Sequence, residues 1–223
     1  MMKTKKVSLI AGIAVCALIV LFTAVYTALT GAFVSAEPYV SPCDIEDSYA
    51  KEAIEWAVRQ QWMTVETVDG QAYFFPDAKV TRSEIAKILV SYLDMDCERY
   101  ADIAVGFADE AQIPAERLPY IRAVVSAGYV KLFHDYTYRA DASVSREETA
   151  DIFAPLCGVT ASAGKSANFS DFAEVGIYFE DSVKKLVDLE ILIGYPDGKL
   201  RPKNDITREE LATLLYRLAT TDS

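Results

Sequence analysis

One four-residue pattern, a hydroxyl, an arginine, any residue and a glutamate, is written three times in this chain: Thr81-Arg82-Ser83-Glu84, Ser145-Arg146-Glu147-Glu148 and Thr207-Arg208-Glu209-Glu210. The copies start 64 and then 62 residues apart. A regular period of this size implies three similar supersecondary units. A unit of about sixty residues buries too little apolar surface to stand alone, so the repetition predicts three units sharing one core. That organisation is favoured over the two separate domains that 223 residues would allow.

Ser or Thr followed three residues later by Glu is a capping box. Thr81, Ser145 and Thr207 are expected at N-caps, with Glu84, Glu148 and Glu210 reaching back to the cap amides. Apolar residues then recur at helical spacing, as Ile85, Ile88, Leu89 and Tyr92 and as Leu211, Leu214, Leu215 and Leu218. The middle copy is weaker (Thr149, Ile152, Phe153, Leu156), and Pro155 is expected to end or kink its helix. A second helical pattern lies upstream of each tetrad: Ala50 to Val58, Ile121 to Val125 and Phe179 to Val187. Each unit thus reads helix, loop, helix.

Capping leaves Arg82, Arg146 and Arg208 unexplained. A cation at the first helical position opposes the helix dipole by up to about 1 kcal/mol. A guanidinium fork beside free helix-end amides would make a carboxylate or phosphate site. An arginine paired with a neighbouring acid is the simpler alternative, and spacing alone leaves both open.

Lys3, Lys5 and Lys6 precede a charge-free run from Val7 to Ala36. Residues 1–36 are therefore expected to be a signal peptide, cut after the small residues Val34-Ser35-Ala36, or an apolar membrane helix that holds 7–34 in the cytoplasmic membrane. In both cases the chain from Glu37 onward is placed outside that membrane. The formal net charge is −11, and without the three lysines the exported part carries −14, which argues against a nucleic-acid partner. Any anionic ligand must be held by local cations against the field of the whole protein. Cys43, Cys97 and Cys157 form no C-x-x-C pair, which disfavours zinc, and neither the sequence nor its composition implies a cofactor.

The loop of the third unit, Gly194-Tyr195-Pro196-Asp197-Gly198-Lys199-Leu200-Arg201-Pro202, has the chemistry of a tight turn. The second, from Leu132 to Ala140, lacks its glycines and prolines. The first carries extra residues before Asp69-Gly70, so a longer, differently shaped loop is expected. Together with Phe107-Ala108-Asp109 and Phe169-Ser170-Asp171, these loops and tetrads resemble S-layer homology domains. The resemblance runs from about residue 42 to 220, with repeats at about 42–96, 105–160 and 167–220. In the first unit Pro42-Cys43-Asp44 replaces the Phe-x-Asp opening.

The resemblance implies an all-α, pseudo-threefold domain over 37–220, with a central helical bundle and grooves that bind secondary cell-wall polysaccharide, often bearing a pyruvylated sugar. It implies that Arg82, Arg146 and Arg208 meet the ligand carboxylate and that Asp44, Asp109 and Asp171 orient groove groups. It also implies that Gly194 admits a sugar close to the backbone, with Tyr195 forming a groove wall. Because the third unit keeps its glycines, the sequence ranks Arg208 above Arg146 for binding.

The expected function is thus a non-catalytic anchoring module at the cell surface, with a membrane-tethered structural linker as the alternative. A glycan hydrolase is the remote third, because carboxylates recurring at fixed offsets already have capping roles. His134 is the only histidine, and no Ser or Cys is constrained by spacing to meet it. Trp62 reads first as packing and second as a sugar platform. Asp197-Gly198 reads as a turn, since no calcium-loop spacing surrounds it.

Overall fold

The structure, a computed structural model, describes residues 39–158 and 164–221. The expected apolar segment and its cleavage point after Ala36 lie outside them. Among the described residues no helix is long and apolar enough to cross a membrane.

Among the described residues six α-helices follow one another: α1 Lys51–Arg59, α2 Arg82–Tyr92, α3 Leu118–Ser126, α4 Arg146–Phe153, α5 Glu180–Asp188 and α6 Arg208–Thr221. The tetrads open α2, α4 and α6. Ser145 and Glu148 form a complete capping box. Thr207 and Glu210 do the same, with the Thr207 amide donating to Glu210 Oε2 at 3.0 Å and the Glu210 amide to Thr207 Oγ1 at 3.3 Å. At α2 only half the box forms. The Glu84 amide donates to Thr81 Oγ1 at 3.3 Å, and the Glu84 carboxylate pairs with Arg208. α4 stops at Phe153 and passes into a 3-10 turn at Ala154–Leu156, as Pro155, without an amide hydrogen, requires.

The all-α expectation holds only in part, since the described chain is helix-rich but also contains a β-ribbon. Strands β1 Glu66–Val68 and β2 Gln71–Tyr73 pair antiparallel, with Val68 opposite Gln71. Asp69 and Gly70 form the two-residue turn with φ of 51° and 80°, the left-handed pair that suits the twist of a hairpin. The extra residues of the first loop are this ribbon.

The helices do not pair within their own segments. α1 packs on α6, α3 on α2 and α5 on α4, so each upstream helix lies against the tetrad helix of another segment. The residue before each tetrad closes a cycle of backbone hydrogen bonds. The Val80 amide donates to the Ile206 carbonyl (3.1 Å), the Ile206 amide to Val144 (2.9 Å), and the Val144 amide to Val80 (3.0 Å). All three side chains are fully buried, which removes competing water from the ring. Ile85, Leu89, Ile121, Phe153, Leu186 and Leu215 belong to the same continuous core.

Each segment's loop is hung on one aspartate. Asp44 accepts the amides of Phe74 (2.8 Å) and Phe75 (2.7 Å), Asp109 those of Tyr138 and Arg139 (both 2.7 Å), and Asp171 those of Leu200 and Arg201 (both 2.8 Å). The second residue of each pair, Phe75, Arg139 or Arg201, has φ between 53° and 58°, a left-handed geometry that the double acceptor helps hold. Burial alone would raise the Asp171 carboxyl, but the two amides outweigh it and keep it below its ordinary 3.8. The stability it contributes is complete above the unfolded value and is lost as pH falls through the lower folded one. Asp171→Asn is therefore expected to be less stable than wild type at neutral pH, with the gap narrowing as pH falls below the ordinary carboxylate value. Urea titrations across that range check this, and a gap independent of pH would contradict it.

The inter-segment arginines and the clefts beside them

The three tetrad arginines reach out of their own segments. Arg82 donates from Nε to the Tyr138 carbonyl (2.6 Å) and from Nη2 to Lys131 (2.7 Å). Arg146 does the same to Leu200 (2.8 Å) and Ile193 (2.6 Å), and Arg208 to Phe74 and Thr64 (both 2.7 Å). First segment thus holds second, second holds third, and third holds first. The remaining edge faces the glutamate of the receiving segment's tetrad: Arg146 Nη1 lies 3.4 Å from Glu210 Oε1, Arg208 pairs with Glu84, and Arg82 feels the charge of Glu148. Arg82 and Arg146 are only 5% and 3% exposed. Burial lowers the pKa of Arg82 and Arg208, yet a guanidinium starts so high that it stays charged.

The helix-end amides are not free either. The amides of Arg82 and Ser83 donate to Ala142 and Ala140, those of Arg146 and Glu147 to Asn204 and Pro202, and those of Arg208 and Glu209 to Ala78 and Pro76. The amide half of the anion site expected from the sequence is therefore filled by the chain itself. This also explains a cation at the first helical position: a dipole cost of at most about 1 kcal/mol is offset by charge-assisted hydrogen bonds worth about 1.5–3 kcal/mol each.

The cyclic exchange reassigns the arginines to loops. The well-formed third loop belongs with Arg146, whereas Arg208 serves the first loop, where the sequence had joined Arg208 to the third. Around Arg146 lies a cleft of about 830 Å³ whose walls come from all three segments: Tyr49 and Lys79 from the first, Arg146 from the second, and Ile193, Tyr195 and Glu210 from the third. Tyr195 is clasped between Arg201 (4.0 Å) and Arg146 (4.9 Å), and its hydroxyl meets Glu210. Desolvation and then that carboxylate raise its pKa. Tyr49 is 68% exposed, but its hydroxyl end lies beside Thr213, Glu209 and Glu210. Desolvation there and then the two carboxylates push it up to about 12.

A second cleft, of about 610 Å³, lies around Arg208 and is bordered by Lys79, Ser83, Glu84, Lys87 and Arg117. Here the clasped ring is missing. In the second segment Phe133 sits between Arg82 (4.7 Å) and Arg139 (4.0 Å), matching Tyr195. In the first, Glu66 and Phe75 hold the corresponding places.

The expected groove aspartates are committed to loop amides and reach the clefts only through the loops they hold. Gly194 borders the larger cleft, but the room left by its missing side chain is taken by the protein. A Cβ there would overlap the Phe169 ring and lie 2.7 Å from the Lys199 carbonyl. Packing accounts for this glycine. Tyr49, Lys79 and Thr213 were not singled out in the sequence, because nothing local to them shows that three segments meet there. His134 is exposed. Trp62 packs edge-on against Trp56 and Tyr92, with ring centroids 4.6 Å away in each case, which fits its packing role. Among the described residues no group of His, Cys, Asp and Glu is arranged to hold a metal ion.

The S-layer homology domain family model matches residues 106–150 and 168–212. The chain is 29% identical over 157 residues to Cell surface glycoprotein 1 of Acetivibrio thermocellus, a match covering 65% of this chain and 6% of that protein. It is 32% identical over 94 residues to the Cellulosome-anchoring protein of the same organism, covering 41% and 21%. It is 25% identical over 179 residues to Amylopullulanase of Thermoanaerobacterium thermosulfurigenes, covering 78% and 9%. The chain therefore spans a small part of the length of each of these relatives.

Proposed function

The chain belongs to the S-layer homology family, and from that premise we propose that it is a non-catalytic module attaching to an anionic, pyruvylated wall polysaccharide outside the cytoplasmic membrane. Residues 37–220 act as one domain of three repeats, and the cyclic exchange of arginines and backbone bonds supports a pseudo-threefold arrangement. The observation that carries the proposal is the cleft beside Arg146. It joins two tyrosine rings, an apolar wall at Ile193 and the cations Lys79, Arg146 and Arg201, the combination that stacks a sugar face and neutralises an acid substituent. Arg146 acts there mainly as a positioning residue, holding the backbone that presents Tyr195. A protein that hydrolysed the glycan would need an acid and base across a scissile bond. Of the four carboxylates that line the cleft, Asp77, Asp205, Glu209 and Glu210, Glu209 is engaged with Ser48 and Glu210 with the cap of α6.

Co-sedimentation with cell walls, before and after chemical removal of their polysaccharide, tests the proposal. Binding is expected to disappear with the polysaccharide, and equal binding to stripped walls would refute it. Within that assay Tyr49→Ala is expected to weaken binding about tenfold, the upper end of one aromatic contact, with an unchanged urea midpoint because the ring is mostly exposed. Unaltered binding would show that ligand does not use this wall.

A further inference from the structure

The two clefts share one residue. Lys79 borders both the Arg146 cleft and the Arg208 cleft. Its place is fixed by the centre of the fold: Lys79 forms a backbone bridge with Thr207 and precedes Val80, a member of the closed hydrogen-bond cycle. The corresponding positions of the other segments are Ser143 and Asp205, each in an equivalent bridge, so only the first segment places a cation at this central position.

Lys79 is also uncommitted. Arg146 and Arg208 are tied to carbonyls and a glutamate, Arg201 is paired with Asp197 and Arg117 with Asp141. Among the described residues no carboxylate lies within ion-pair distance of Lys79, and the same is true of Lys87, which borders the Arg208 cleft alone. In a chain of net charge −11, an unpaired ammonium exposed between two clefts is a ready counter-ion for an acid group arriving from solvent.

Resting on the polysaccharide-binding reading above, we propose that Lys79 is a specificity residue common to both clefts and couples them. Its single ammonium neutralises a carboxylate held in either one. When one cleft is filled, an anion entering the other meets an ammonium already engaged and a like charge nearby. Filling either cleft therefore weakens the other, and by linkage the effect is reciprocal. A neutral sugar feels neither the attraction nor the coupling.

The test is a titration of the full-length protein followed by two-dimensional NMR, with Tyr195 reporting the Arg146 cleft and Ser83 the Arg208 cleft. The probes are a methyl hexoside bearing a 4,6-pyruvate ketal and the same hexoside without it. Lys79→Gln is expected to weaken the charged probe at both clefts by about three- to fivefold, the range of an exposed ion pair, to remove the loss of affinity that filling one cleft causes at the other, and to leave the neutral probe unchanged. Lys87→Gln is expected to weaken only the Arg208 cleft. If the charged probe binds with wild-type affinity to Lys79→Gln, or loses affinity at one cleft only, the shared role is overturned while the wall-binding reading stands. If the charged probe moves neither reporter in wild type, both are overturned.

Discussion

Arg146→Ala will lower the stability of the whole described domain by about 3–5 kcal/mol, the cost of breaking a buried, hydrogen-bonded charge pair from one side. At a urea slope of about 2 kcal/mol/M this is a midpoint shift of about 2 M. The size follows from what the truncation strands: the carbonyls of Ile193 and Leu200 lose their donors, Glu210 loses its cation, and the site is closed to water at 3% exposure. Arg146→Lys will recover less than half of the loss. One ammonium on a flexible stem does not reproduce a planar fork that serves two carbonyls and a carboxylate at once. The transition should stay single and cooperative, because the arginine joins two segments within one core. An alanine variant that kept its midpoint within about 0.3 M while losing wall binding would show the opposite assignment, an arginine kept for ligand rather than for the fold.

Gly194→Ala will cost about 1–3 kcal/mol, the price of forcing one methyl into filled space, and will spoil the Arg146 cleft. The Phe169 ring occupies the position of the added carbon, and the Lys199 carbonyl blocks the other side. Relief requires moving either the ring or the turn, and the turn carries Tyr195, whose amide donates to Lys199 at 2.8 Å. Wall binding should therefore fall together with stability. Phe169→Leu in the same chain will restore part of both, so the two changes will be strongly non-additive in a double-mutant cycle. Additive losses would mean that the ring is not what excludes the side chain. In the second segment Leu132 holds the corresponding position and packs against the core.

Much of this architecture was legible because it is encoded locally. Thr81, Ser145 and Thr207 cap their own helices through atoms three residues away, and Pro155 ends α4 through its own missing amide hydrogen. The hairpin at Asp69-Gly70 was equally local and could have been found, since Asp-Gly is a strong two-residue turn signal. The resemblance pointed to the arginines and loops that border the clefts. It did not reveal that Gly194 answers to Phe169, because that contact joins residues 25 positions apart.

The sequence by itself determined the three tetrads, the helices they start and the acidic balance of the chain, since each is written in residues that need no distant partner. Only the tertiary structure decided what the arginines hold. Their partners lie 47 to 144 residues away, in the next segment of a closed cycle, and no period along the chain distinguishes that arrangement from three self-contained hairpins. The cycle moved the third loop from Arg208 to Arg146, filled the helix-end amides with the protein's own carbonyls, and set Lys79 between two clefts. Hydrogen-bonding groups buried by folding must find partners wherever the fold brings them, and here it brought them from neighbouring segments.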